Sequence, residues 1–134
     1  MHLYRLARGD ARNAARLLSC QQDIAADGCF SVGMLARFEE SILQYGPWFY
    51  RRLLWECGLI GQILYLQAEA SGLRGTGIGC YFDDVMHQML GLNDSLWQDL
   101  YHFTIGAPLE DPRLQTKPAY HHLPPSRLPA ERAV

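Results

Sequence analysis

The run Arg74-Gly75-Thr76-Gly77-Ile78-Gly79-Cys80-Tyr81-Phe82 places glycines at positions 75, 77 and 79. In an extended strand alternate residues share a face, so one face of this segment carries no side chains. Glycine weakens a strand, and a repeated run of it marks the close approach of a ligand or of another backbone. The chemistry such a surface offers is a seat for a flat ring against main-chain N–H and C=O groups. A glycine-rich turn, or a strand pressed against a second strand, is the structural alternative.

Other groups near this run have simpler readings. Cys80 is read as a small buried apolar residue rather than a reactive thiol. Asp83-Asp84 fits the start of a helix, where an acidic cap meets the positive end of the dipole. His121 and His122 are adjacent, so their rings point in different directions, and no third ligand has metal-site spacing. Gly75-x-Gly77-x-x-Cys80 lacks the third glycine of a dinucleotide fingerprint and follows a helix instead of a strand. Arg113, Lys117 and Arg127 lie among prolines. A guanidinium matches phosphate geometry in a bidentate way, and ordinary solvated charge is the competing reading.

The elements that must position these groups follow from pattern. Residues 3–8 read as a short strand, and Asp10 caps a helix running to about Ser19. Asp23–Gly28 reads as a turn, Cys29–Phe38 as a buried strand and Glu39–Tyr45 as an added helical turn. Pro47 suits the first turn of a helix that runs to about Ser71 and stops at Gly72. Its six polar residues, Arg51, Arg52, Glu56, Gln62, Gln67 and Glu69, fall within less than half of the circumference. Such a helix is packed on most sides, inside the domain or at a subunit interface. Asp83 then caps Asp84–Leu90, with Val85, Met86, Met89 and Leu90 turned inward, and Leu100–Gly106 reads as a strand. Six of seven prolines lie at 108, 112, 118, 124, 125 and 129, which makes the end of the sequence extended. In a polyproline conformation residues 107–129 reach about 70 Å. The division is therefore a core over 1–106 and a Pro-rich tail over 107–134.

Composition sets the outer bounds. A chain of 134 residues with 49% hydrophobic and 19% charged content is one globular α+β domain with much apolar surface to hide. A net charge of −2 gives no electrostatic argument for nucleic acid or an anionic membrane. The apolar run Leu53–Leu66 is interrupted by Glu56 and Gln62 and is too short for a membrane span. Cys20, Cys29, Cys57 and Cys80 are spread singly, a pattern expected of reduced thiols in the cytosol. Met1 leads into Leu3-Tyr4-Arg5-Leu6 without an apolar signal segment, and a cytoplasmic protein is expected.

The order of the pieces resembles the C-terminal half of the nitroreductase superfamily of FMN-dependent oxidoreductases. The resemblance rests on Trp55–Leu66, Ala68–Leu73, Gly77-Ile78-Gly79, Phe82-Asp83-Asp84, Leu90-Gly91-Leu92 and Ile105-Gly106-Ala107-Pro108, and covers residues 3–115. The opening Leu3–Gly28, with Ser19-Cys20-Gln21-Gln22-Asp23, is similar to the branch that contains peptide azoline dehydrogenases. The resemblance implies a partial nitroreductase-like fold, a small sheet on a long central helix, and a homodimer with FMN between the subunits. It implies that the backbone at Gly77, Ile78, Gly79 and Cys80 lies along the flavin ring. It also implies that Arg113 or Arg127 meets the FMN phosphate, and that NAD(P)H or a dehydrogenated small-molecule or peptide substrate supplies the electrons. Family members also hold the phosphate with an arginine-rich segment that precedes the matching region. Arg5, Arg8, Arg12 and Arg16 have a different spacing. Each missing charge-assisted contact costs about 1.5–3 kcal/mol, roughly ten- to a hundredfold in affinity. The alternative reading is a non-catalytic dimerising or partner-binding remnant, or a C-terminal subunit completed by a separate N-terminal piece.

Overall fold

The strand Trp97–Gly106 (β3) is the element on which the others assemble, because it is covered on both faces, with aromatic and aliphatic residues toward one and Asp99, His102 and Thr104 toward the other. The computed structural model describes residues 3–124. The elements in chain order are α1 (Arg12–Leu18), α2 (Asp23–Asp27), β1 (Phe30–Arg37), α3 (Phe38–Tyr45), α4 (Tyr50–Ala70), β2 (Arg74–Ile78), α5 (Asp83–Leu90) and β3. A single 3₁₀ turn at Pro47–Phe49 leads into α4. The three strands form one antiparallel sheet in the order β1-β3-β2.

β3 contains a bulge. Tyr101 pairs with Met34 and Asp99 with Leu35, so Leu100 is an extra residue on its strand. A bulge shifts the side-chain alternation by one. Tyr101, Phe103 and Ile105 lie beyond it on one face, yet Leu100 also joins the apolar cluster with Phe103. On the other face the same shift brings Asp99 and His102, three residues apart, to the same side, where their side chains bond. In a regular strand an odd separation would have put them on opposite faces.

α4 covers the first face. Leu53, Cys57, Gly61 and Ala68 are its buried residues, spaced as a helical stripe. At Gly61 a side chain would begin 3.4 Å from the Tyr101 ring, so the small residue lets the helix lie close to the sheet. Phe103 is completely enclosed, a burial worth about 1.5–3 kcal/mol. The opposite face is covered by α1, α2 and α5 and holds the buried polar residues Ser19, Asp99, His102 and Thr104.

Several expectations hold. β1, α3, α4, β2 and α5 lie where the patterns put them, although β1 is mostly half-buried or exposed rather than buried, with Met34 its buried residue; α4 ends before Gly72, whose φ of +70° suits a residue without a side chain. Others are corrected. Residues 3–8 form no strand; Leu3 and Leu6 are exposed, and the segment lacks the period-two apolar pattern that a half-buried strand needs. Asp23–Asp27 is a helical turn, and β3 begins at Trp97, three residues early. Met89 faces outward. Among the described residues α4 is packed along one stripe: Leu54, Trp55, Leu59, Ile60, Ile63 and Leu66 are exposed. No helix among the described residues is long and apolar enough to cross a membrane.

Candidate functional site

The glycine strand comes first. At Gly75 a side chain would begin 2.8 Å from the Phe103 ring and 3.3 Å from Tyr65. At Gly77 it would meet the Tyr101 hydroxyl, with Tyr65 Oη 3.3 Å away. The Gly77 N–H donates to Tyr65 Oη at 2.8 Å. The bare face at 75 and 77 is therefore filled by rings of the chain's own β3 and α4. Gly79 differs: it is exposed and no atom lies within 4 Å of where a side chain would start. Ile78 is buried on the other face, opposite His102. Of the residues placed along a ring, Gly79 and Cys80 are exposed, Ile78 is buried, and the N–H of Gly77 is already engaged.

Cys80 is neither buried nor free. It is exposed and bonded to Cys20 as a disulfide, with Cα atoms 5.8 Å apart. This corrects the reduced-thiol expectation, because the fold joins residues 60 positions apart that spacing alone cannot pair. Cys29 and Cys57 are free, the first exposed and the second buried. Burial, then the charges of Glu56 and Asp99, push the Cys57 thiol up from its ordinary value. The corner around Cys20 is held in an unusual backbone, with Cys20 and Gln21 at φ +54° and +62°, a region that non-glycine residues seldom occupy. Gln22 Nε2 donates to the carbonyls of Ser19 at 2.8 Å and Cys80 at 3.2 Å. The Phe82 N–H donates to Leu18 O at 2.8 Å.

Behind this corner lies a polar group that the sequence reading did not single out. His102 Nε2 and Asp99 Oδ2 are 2.6 Å apart, with both side chains almost wholly buried. With Nε2 donating, Nδ1 accepts from the Ser19 hydroxyl at 3.3 Å. The Tyr81 ring stacks on His102 with centroids 4.7 Å apart and planes 14° from parallel. Burial, and then the nearby Asp99, push the Tyr81 phenol up to about 12. Asp99 Oδ1 is buried without a hydrogen-bond partner. The Asp99 N–H donates to His87 Nε2 at 3.1 Å, which anchors α5 to the same place. Ser19 and His102 form the floor of a cleft of about 630 Å³ whose walls include Leu18, Gly33, Met86 and Leu90. A second cleft of about 680 Å³ lies between Asp23, Arg74, Thr76, Thr104 and the start of the tail at Pro108.

Of the two candidate phosphate contacts, Arg113 is engaged within the tail. Its guanidinium clamps Asp111 from Nε at 2.9 and 3.1 Å and from Nη2 at 2.6 Å. That pairing holds the Asp111 carboxyl below the usual carboxylate range. A lowered value means the pair is complete at neutral pH and is lost only as pH falls through that lowered value. Arg113→Ala should move the Asp111 titration upward, though not all the way, because the N–H of residue 113 still donates to Asp111 Oδ1; carboxyl-carbon NMR reads the shift, and an unmoved titration would contradict the pairing. Arg127 lies outside the described residues. The acidic pair is structural, with Asp83 accepting from the Asp84 N–H at 3.0 Å and from Gln98 at 2.9 Å. Among the described residues no group of His, Cys, Asp and Glu is arranged to hold a metal.

The comparisons agree with this architecture. A protein from Anabaena variabilis described as a nitroreductase superposes with a TM-score of 0.69 at 30% identity, over 75% of this chain and 20% of that one. NfrA1 of B. megaterium superposes with a TM-score of 0.63 at 16% identity, over 84% of this chain and 51% of that one, which shows the shared fold. The chain thus spans a fifth of the first and about half of the second. No curated protein sequence matches it. Residues 4–107, most of the sequence and all of the sheet with its helices, match the model of the Nitroreductase family, and the chain belongs to that family.

Proposed function

We propose that this chain contributes to a flavin-dependent oxidoreductase of the nitroreductase kind, with FMN seated at an interface formed with a second chain. The family match over residues 4–107 carries the reading. Two features of the fold support it. The main chain at Gly79 is open, and α4 presents Trp55, Leu59, Ile63 and Leu66 as exposed side chains that the described residues leave uncovered. Exposed apolar surface of that extent marks a site of association. A bound flavin supplies hydride transfer, with NAD(P)H or a small-molecule or peptide substrate as the donor. The chain's own residues supply the seat. Gly79 gives close access to the backbone, the rings of Tyr65, Tyr101 and Phe103 stiffen the strand behind it, and Arg113 reaches a phosphate only on releasing Asp111. The opening segment's similarity to peptide azoline dehydrogenases makes a peptide the first substrate class to try.

Gly79→Val tests the seat without disturbing the fold. Apart from its chain neighbours nothing lies within 4 Å of where the side chain starts, so the melting temperature should stay close to the parent's. FMN affinity should fall by at least roughly tenfold, about 1.4 kcal/mol. Equal affinity for variant and parent in a fluorescence titration would remove the ring from Gly79.

A further inference from the structure

The two residues that enclose His102 are each the sequence neighbour of a disulfide cysteine. Ser19 precedes Cys20 and hydrogen-bonds His102 Nδ1 at 3.3 Å; Tyr81 follows Cys80 and stacks on the same ring at 4.7 Å. The bond between Cys20 and Cys80 thus ties together both covers of the buried His102–Asp99 pair. We infer that the Cys20–Cys80 disulfide is a thiol-responsive latch, and that its reduction by a dithiol frees Ser19 and Tyr81 and opens the His102–Asp99 pair to the adjoining cleft. This inference is independent of flavin binding.

The surroundings suit a latch. Cys80 is exposed and Cys20 half-buried, so an incoming thiolate has access at the Cys80 sulfur. Attack there forms a mixed disulfide and expels Cys20 as a thiolate, which takes up a proton. The second thiol of the reductant then displaces Cys80. In balance, the protein disulfide and a dithiol give two protein thiols and an oxidised dithiol, with two electrons and two protons transferred. The corner is also set to move. Cys20 and Gln21 sit consecutively at left-handed φ values of +54° and +62°, which non-glycine residues keep only where their surroundings impose it. On the other side Gly79 has open space where a side chain would stand and no Cβ to restrict its backbone. After reduction the corner is still crossed by the hydrogen bonds from the Gln22 amide to Cys80 O and from the Phe82 N–H to Leu18 O. Inside, Asp99 Oδ1 has no partner and gains solvent when the covers lift. The cleft of about 630 Å³ already reaches Ser19 and His102, so the opened pair would meet whatever occupies it.

The test compares the oxidised chain with the chain reduced by dithiothreitol, alkylated with N-ethylmaleimide and desalted. Peptide mass spectrometry reports which cysteines are labelled, and brief treatment with diethyl pyrocarbonate then reports the accessibility of His102. Cys29 should label in both states, Cys20 and Cys80 only after reduction, and Cys57 in neither. Carbethoxylation of His102 should rise at least about tenfold on reduction, as expected of a local opening, while the exposed His121 and His122 keep their rates. The variant Cys20→Ser/Cys80→Ser should reproduce the reduced state without adducts. The inference fails if His102 gains less than about threefold with both thiols labelled. It fails if Cys57 becomes reactive together with His102, because the bond then holds the whole fold. Labelling of Cys20 and Cys80 without reductant also overturns it.

Discussion

His102→Ala is expected to destabilise the chain by about 3–5 kcal/mol in urea or thermal unfolding. The reason is what remains behind. Asp99 is buried and Oδ1 has no hydrogen-bond partner, so among the described residues His102 is the one side chain bonded to its carboxyl group. Deleting the imidazole leaves a buried carboxyl that has lost its hydration and gained no partner, and the Ser19 hydroxyl loses its acceptor as well. Replacing both members with apolar residues of similar volume should recover most of the loss, because the penalty lies in the orphaned polar group. A native domain is stable by only about 5–15 kcal/mol, so the single substitution removes a large share. A loss below about 1 kcal/mol, or a double variant no better than the single one, would contradict the account of the pair.

Gly77→Val is the second large effect, expected to cost about 3 kcal/mol as an overpacked core position. The new side chain meets the Tyr101 hydroxyl at its first carbon, with the Tyr101 Cζ 2.8 Å and Tyr65 Oη 3.3 Å away. Tyr65 also holds the strand through the Gly77 N–H, so it cannot withdraw without giving up that bond. β2 must then lift from β3 or Tyr101 must leave its place over Gly61. Gly77→Ala should be milder, and Tyr101→Phe in the same chain should relieve part of the cost. A melting temperature equal to the parent's would show that the rings do not occupy the glycine face. The contrast with Gly79→Val, which leaves stability close to the parent's, separates the packed part of the stripe from its open end.

What the sequence makes legible is periodic and local. The long apolar arc of α4, Pro47 at its start and Gly72 after its end, and the glycine alternation of β2 are visible without a structure because each depends on near neighbours. What fills the glycine face is a different matter. Tyr101 and Phe103 are brought there by strand pairing with a segment more than twenty residues away, so spacing shows a bare face and not its occupant. The Asp99–His102 pair was hidden by the bulge at Leu100, since a separation of three in a strand reads as opposite faces. A signal did exist: Asp99 and His102 are titratable residues within an aromatic, β-branched strand at the centre of the sheet, where polar groups need partners. Cys20 and Cys80 carried no such signal. Their pairing depends on the corner after α1 folding back to the end of β2.

The visible absorption spectrum of the purified chain, recorded after incubation with FMN and gel filtration, tests the central claim most directly. Family membership and an open seat at Gly79 predict that the protein peak retains the blue absorption band of oxidised flavin, and that the Gly79→Val protein loses it. A folded chain that elutes colourless after loading would contradict the proposal that these residues build a flavin site.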